Sequence, residues 1–257
     1  MSRHTIVCAI LGWGAMAMAA SSAAAELSSA ARLDAELSAI VGDAAHPLAS
    51  LSVLAMKDGK VVYHRQFGNR YIDPANPASN RPANAATMYR IASISKLVVT
   101  LGVMKLVEEG KLAIDADIGD AIGYQFRNPH FPDDPITLRM LLSHTSSLRD
   151  DGGYYWEAKL GASFKDVLLP GGKLYGKGAM WAKNAKPGAY FQYANLPWGV
   201  VGMMMERVTG ERFDRLIRRL ILDPMELKGG FHPADFSAES IDMLEALVRQ
   251  ELLGWVD

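Results

Sequence analysis

Apolar positions along the chain follow two rhythms. In residues 27–41, LSSAARLDAELSAIV, Leu33, Leu37, Ile40 and Val41 recur at helical spacing and predict a helix with one apolar face. SLSVLAMKDGKVVYHRQFG follows. It holds two strand-like runs broken at Asp58-Gly59, the signature of a β-hairpin. From Asn69 to Ala86 the chain is rich in Asn, Pro and Ala and reads as a loop. The pattern then turns helical. The apolar run LVVTLGVMKLV after Lys96 predicts a helix to Glu109, with Gly110 as its terminator. ITLRMLLSHTSSL, residues 136–148, predicts a second helix that starts after Pro135 and breaks at Thr145-Ser146-Ser147. Residues 149–189 read as irregular. PGAYFQYAN is extended and leads into WGVVGMMMERVTG, a helix ending at Gly210. ERFDRLIRRLILDPMEL is amphipathic, with Pro224 near its end, and SAESIDMLEALVRQELLGWV closes the chain as a last helical pattern. No internal repeat is visible. A lone two-stranded hairpin is a poor unit in water, yet no clear strand is expected after Tyr190.

Composition adds bounds. The chain has 257 residues, 49% hydrophobic and 21% charged, with net charge −1. That describes an ordinary globular protein and gives no electrostatic reason to expect nucleic acid or an anionic membrane as partner. The first residues stand apart: Arg3 and His4, an apolar stretch, then Ala23-Ala24-Ala25. This order predicts a signal peptide over residues 1–25, cleaved before Glu26, and hence a periplasmic or secreted protein with no membrane attachment after cleavage. The single cysteine, Cys8, lies inside that segment, so the mature chain, residues 26–257, has no thiol chemistry. The histidines show no H-x-x-x-H or H-x-x-E spacing, and no metal or other cofactor is expected. No G-x-S-x-G occurs, which argues against an α/β-hydrolase elbow.

The candidate chemistry begins at MYRIASISK, residues 88–96. Ser93 can be read as a helix N-cap. Lys96 would then take the N3 position, where a capping box prefers Glu or Gln, and its cation would oppose the helix dipole. The apolar residues that follow cover almost every face, which predicts a buried helix. Catalysis offers another account of the same residues. Residues three apart share a helix face, so the lysine amine reaches the serine hydroxyl. Burial and dipole both favour the neutral amine, the form a general base needs. Roughly one S-x-x-K match is expected by chance, so context has to carry the reading: a loop, a serine, then an apolar helix. Tyr193-Ala194-Asn195, in FQYANLPWG, is a second candidate; in isolation it reads rather as a core tyrosine and a turn asparagine, and only beside the S-x-x-K serine does that order reverse. His144, at the helix end in LLSHTSS, reads as a structural, hydrogen-bonded histidine. Tyr154, Tyr155, Trp156, Trp181 and Trp198 either line a cleft or fill the helical block.

Together these residues resemble the serine β-lactamase and penicillin-binding protein superfamily, in particular its class C β-lactamase, esterase and D-aminopeptidase branch. The matching stretches are MYRIASISK, LVEEGKLAIDADI, ITLRMLLSHTSSL, PGAYFQYANLPWGVVGMMMERVTG and RLILDPMEL, in family order from Leu48 to Leu227. The resemblance implies an α+β fold of the β-lactamase/transpeptidase type, an antiparallel sheet packed with a mostly helical block. By the same resemblance Ser93 is the acyl-accepting nucleophile. Lys96 is the base that activates it or the charge that tunes its neighbour. Tyr193 shuttles the proton and later activates water, and Asn195 binds the substrate amide and helps fix Lys96. The implied substrate is a small molecule or peptide, an ester or amide such as a β-lactam, a D-peptide or a carboxylic ester, attacked through an acyl-Ser93 intermediate.

One part of the family pattern is absent. Members carry K-[ST]-G or H-x-G on a strand after the helical block. Downstream of Asn195, Lys228-Gly229-Gly230 and His232-Pro233-Ala234 do not fit it. The expectation is therefore an incomplete sheet, mainly the N-terminal hairpin, without the C-terminal strands and helix. Two functions follow: an exported serine hydrolase, or an inactive remnant that at most binds such ligands.

Overall fold

The computed structural model describes residues 29–152, 163–232 and 235–237. The expected signal peptide, the Tyr154-Tyr155-Trp156 cluster and the expected last helix lie outside them. The chain divides into two compact units, the first formed by the residues up to Arg90 and from Phe236, the second by Ile91–Asp235.

The first unit holds a helix α1 (residues 29–41) and a three-stranded antiparallel sheet in the order β1 (Ser50–Lys57), β2 (Lys60–Tyr71), β3 (Arg81–Pro82). Asp58 and Gly59 turn the hairpin with φ of 51° and 72°, the left-handed pair that matches strand twist. Register runs from Lys57↔Lys60 to Ser50↔Gly68, with an irregularity between Ala55 and Met56. Gly68 needs its lack of a side chain. Its φ is +74°, and a Cβ there would lie 2.3 Å from the Ala49 carbonyl oxygen. The stretch expected as a loop from Asn69 instead completes β2, makes a 3-10 turn at Pro77–Ser79 and adds β3. Asn, Pro and Ala content hid a short edge strand, where proline is tolerated. Tyr63 of β2 donates a hydrogen bond to the Asp34 carboxylate of α1. Burial first, then that bond, pushes the Tyr63 phenol up to about 12.

The second unit is helical: α2 (Ser95–Glu108), α3 (Ile118–Ile122), α4 (Leu138–Leu142), α5 (Phe164–Leu168), α6 (Leu196–Thr209) and α7 (Phe213–Ile217), which runs into a wider turn at Arg218–Leu222. Its core gathers Val103 and Leu106 of α2, Leu141 of α4, Val200, Met204 and Met205 of α6, and Leu216 and Ile217 of α7. Trp181 is core as well: it is buried and its indole N–H donates to the Leu168 carbonyl at 2.9 Å. At Gly102 a Cβ would meet Ile217 Cδ1 at 2.7 Å and Met205 Cε at 3.1 Å, so glycine lets α2, α6 and α7 approach. Gly110 and Gly210, both at φ +69°, follow α2 and α6 as expected.

Three further expectations need correction. Residues 149–189, read as irregular, include α5, which Ser163 and Asp166 cap reciprocally. α2 is not buried on every face: Ile94, Leu97, Leu101 and Met104 form an exposed stripe. A run of apolar residues tells which faces could be covered, not what is there to cover them. The second helix is also shorter than expected. Thr137 caps α4, accepting from Met140 N–H at 3.3 Å, but the helix ends at Leu142. His144 and Ser147 then take φ of 57° and 65°, which no helix admits.

Candidate active site

Ser93 sits in a 3-10 turn, Ala92–Ile94, immediately before α2. Ala92 has φ 44°, a left-handed conformation that costs an L-residue about 1–2 kcal/mol. Ile94 takes the cap position of α2, and no side chain caps that helix. The capping reading of Ser93 therefore gives way: its hydroxyl is engaged elsewhere. Lys96 lies in the first turn of α2, and its Nζ reaches back to Ser93 Oγ at 2.9 Å.

The other two residues come from the far end of the unit. Tyr193 lies in the stretch just before α6, and Asn195 is the cap residue of that helix. Tyr193 Oη is 2.7 Å from Ser93 Oγ. Lys96 Nζ donates to Tyr193 Oη at 2.9 Å and to Asn195 Oδ1 at 3.0 Å. All four residues singled out in the sequence thus converge. Lys96 faces three acceptors, the number an ammonium can serve. Its nitrogen also lies 5.1 Å from the centre of the Tyr193 ring and 5.8 Å from that of Trp198, within range of an aromatic face. Of the two described aromatic residues named for a cleft, Trp198 reaches this cluster and Trp181 fills the core.

The site is open. Ser93 is exposed, Tyr193 is 45% exposed, and Lys96 and Asn195 are half-buried. Lys96 does not sit in the dry setting the apolar run suggested. Its influence on Tyr193 is clear: hydrogen bonds from Lys96 and then Ser93 hold the Tyr193 phenol below its ordinary value of 10. A phenol so placed yields phenolate more readily, which suits it to accept a proton.

His144 supports the tyrosine. Its ring stacks on Tyr193 with centroids 4.6 Å apart, and it stands edge-on to Phe191 at 5.8 Å. The Ala194 N–H donates to His144 Nδ1 at 3.3 Å, which leaves the ring proton on Nε2. Burial, then the nearby Lys96 cation, pushes the imidazole below its ordinary value, so the ring is neutral at pH 7. This agrees with the structural, hydrogen-bonded histidine expected from sequence. Asp150 was not anticipated. It lies in the stretch read as irregular, and its carboxylate accepts from the Asn195 and Leu196 N–H groups at the start of α6. Nothing in the local pattern marks it. Among the described residues, no group of three or more His, Cys, Asp or Glu gathers into a metal-ligand cluster.

A family model described as Beta-lactamase matches residues 32–242. Among curated proteins, the chain is 27% identical to Penicillin-binding protein 4* of Bacillus subtilis (strain 168) over 176 residues, 67% of this chain and 36% of that protein. Among solved structures, it resembles the octameric penicillin-binding protein homologue from Pyrococcus abyssi, with TM-score 0.61 and 26% identity over 85% of this chain and 47% of that one. It also resembles EstCE1, a hydrolase with promiscuous acyltransferase activity, with TM-score 0.62 and 25% identity over 85% of this chain and 56% of that one. The chain spans about a third of the length of the curated relatives it matches.

Proposed function

The chain belongs to the β-lactamase family, within the serine β-lactamase and penicillin-binding protein superfamily, and from that premise we propose that it is an exported hydrolase working through an acyl-Ser93 intermediate. The observation that carries the reading is the contact of Ser93 Oγ with Tyr193 Oη at 2.7 Å and with Lys96 Nζ at 2.9 Å. In this reading Ser93 Oγ attacks the carbonyl carbon of an ester, amide or β-lactam, and its proton passes to the Tyr193 phenolate. The bond to the leaving group breaks, and Tyr193 returns the proton to that group. A water molecule, deprotonated in turn by Tyr193, attacks the acyl-enzyme; the ester bond to Ser93 breaks, Tyr193 returns that proton to Ser93 Oγ, and the acid is released. Lys96 holds the phenolate in place and lowers its energy. Asn195 fixes Lys96 and offers a contact to the substrate. Similarity to a penicillin-binding protein and to a hydrolase with acyltransferase activity supports an acyl-transferring class, with the substrate an ester, a β-lactam or a D-peptide. The apolar leader ending at Ala23-Ala24-Ala25 supports export, to a periplasm or beyond; a mature N-terminus at Glu26 in secreted material would be its signature.

A second reading is acylation or binding without turnover. One experiment addresses both. A fluorophosphonate or a fluorescent penicillin should add its mass to the protein, and Ser93→Ala should abolish the adduct. A chromogenic ester then separates steady turnover from a single burst. Absence of any adduct, or its persistence in Ser93→Ala, would refute the acyl-Ser93 reading. The rate of adduct formation should rise with pH through the lowered titration of Tyr193, and in Lys96→Met that rise should move to higher pH.

A further inference from the structure

Among the described residues, the hydrogen bonds that the Asp150 carboxylate accepts come from the start of α6. Its Oδ1 accepts from the Asn195 N–H and the Leu196 N–H, both at 3.0 Å, and its Oδ2 accepts from the Asn195 N–H at 2.7 Å and from Asn195 Nδ2 at 3.0 Å. An ionised carboxylate can only accept. The two ends of a carboxamide have nearly the same shape, so its partners decide which way it points. With Asp150 on one side, the NH2 end must face Asp150. That leaves Oδ1 to face Lys96 Nζ, 3.0 Å away. Turned over, the carboxamide would set its N–H donors against the lysine's own.

The segment carrying Asp150 is itself anchored. Arg149 N–H donates to the Met180 carbonyl and Ala182 N–H to the Ser147 carbonyl, each at 2.9 Å. Asn128, fully buried, donates to Ser147 Oγ at 3.1 Å and to the Ala182 carbonyl at 2.8 Å. At the other end of the segment, the His144 carbonyl accepts from Gln192 N–H at 2.8 Å. The stretch 144–150 therefore grips the Y-A-N turn at both ends.

We infer that Asp150 is a positioning residue: it selects the carboxamide orientation of Asn195 that presents Oδ1 to Lys96, and through Lys96 it sets the surroundings of the Tyr193 hydroxyl. The inference deepens the proposed function and rests on its roles for Lys96 and Tyr193.

The test reads Tyr193 without requiring turnover. Full-length protein labelled with 13Cζ-tyrosine is titrated by NMR, the Tyr193 signal being identified by its loss in Tyr193→Phe. The groups facing this phenol are Ser93 and Lys96, just before and at the start of α2, Asn195 Oδ1 at 3.5 Å, and His144 and Asp150 from the segment after α4. The charge of Asp150 by itself opposes phenolate formation. If Asp150 acted through charge alone, Asp150→Asn would lower the Tyr193 midpoint. If it orients Asn195, the new carboxamide lets Asn195 turn over, Lys96 loses an acceptor, and the midpoint rises towards that of an ordinary tyrosine. A rise is expected, and it should vanish in an Asn195→Ala background, where there is no carboxamide to turn. A fall, no change, or an equal rise in Asn195→Ala overturns the inference. A measurement on the unsubstituted protein covers the case in which Asp150→Asn does not fold. The Asn195 Nδ2 protons should exchange with water more slowly than those of exposed carboxamides; free exchange likewise overturns it. Fluorophosphonate labelling of the same samples tests the hydrolase reading separately. An unlabelled parent whose Tyr193 midpoint still rises in Asp150→Asn would sink that reading and leave this one standing.

Discussion

Leu106 of α2 and Leu54 of β1 are the same side chain in opposite circumstances, 0% and 55% exposed. The contrast holds along both stretches. In the helical block, residues from all six helices α2–α7 and from loops such as those at Phe126 and Trp181 exclude water together. Among the described residues from 29 to 90, none is buried, and Met56, Val61 and Val62 stand exposed. The hairpin is organised by its backbone ladder and its turn, the block by side-chain burial. Backbone ladders specify register without supplying much net stability, whereas burial of each large apolar side chain contributes about 1.5–3 kcal/mol. The candidate site stands on the second kind of support, since every one of its residues lies between Ile91 and Asp235.

Native-state hydrogen exchange can read the two regions separately, and four substitutions test the contrast. Leu106→Ala should be the most damaging. It empties a site with no exposure and should lower the opening free energy of α2 and α6 amides by about 2–5 kcal/mol; a loss under about 1 kcal/mol would mean the block is looser than its burial implies. Gly68→Ala comes next. It sets a Cβ against the Ala49 carbonyl at a left-handed φ and should cost the hairpin about 1–3 kcal/mol, visible as faster exchange in β1 and β2.

Asp214 sharpens the comparison through pH. Its carboxylate, buried and paired with Arg212, is lowered from the ordinary 3.8 to about 2, chiefly by the hydrogen bonds from that guanidinium. A group lowered on folding stabilises the fold above its unfolded value and loses that effect as pH falls through the folded one. Asp214→Asn should therefore weaken the block at pH 7, and the gap from the parent should close as pH drops from about 4 towards about 2. Thermal melts across that range would check it, and a gap independent of pH would refute the pairing. Val62→Thr should do least: at 62% exposure it should change stability by no more than about 0.5 kcal/mol while reducing aggregation, since exposed apolar strands invite pairing between chains. A loss comparable to that of Leu106→Ala would show that the hairpin face is covered in solution.

What could be read from sequence was local in origin. Asp58-Gly59, Gly110 and Gly210 declare themselves because left-handed backbone favours glycine and its small polar substitutes. Ser93 and Lys96 could be paired on paper because residues three apart share a helix face. Tyr193 and Asn195 were reached through a motif, not through any periodicity of their own. The misjudged elements share a different cause. The short α4 ends where His144 bends to meet the Y-A-N turn, and no pattern within 136–148 shows that partner.

The sequence by itself determined the hairpin, the main helices and their terminators, and the serine–lysine spacing, because each depends on contacts between near neighbours in the chain. Only the tertiary structure decided that Tyr193 lies 100 residues from Ser93 yet within hydrogen-bond reach, that His144 lies under its ring, and that Asp150 holds Asn195. Those pairings follow from how helices pack around a shared apolar core. A hydrogen bond between residues far apart in the chain leaves no periodic trace in either stretch that makes it.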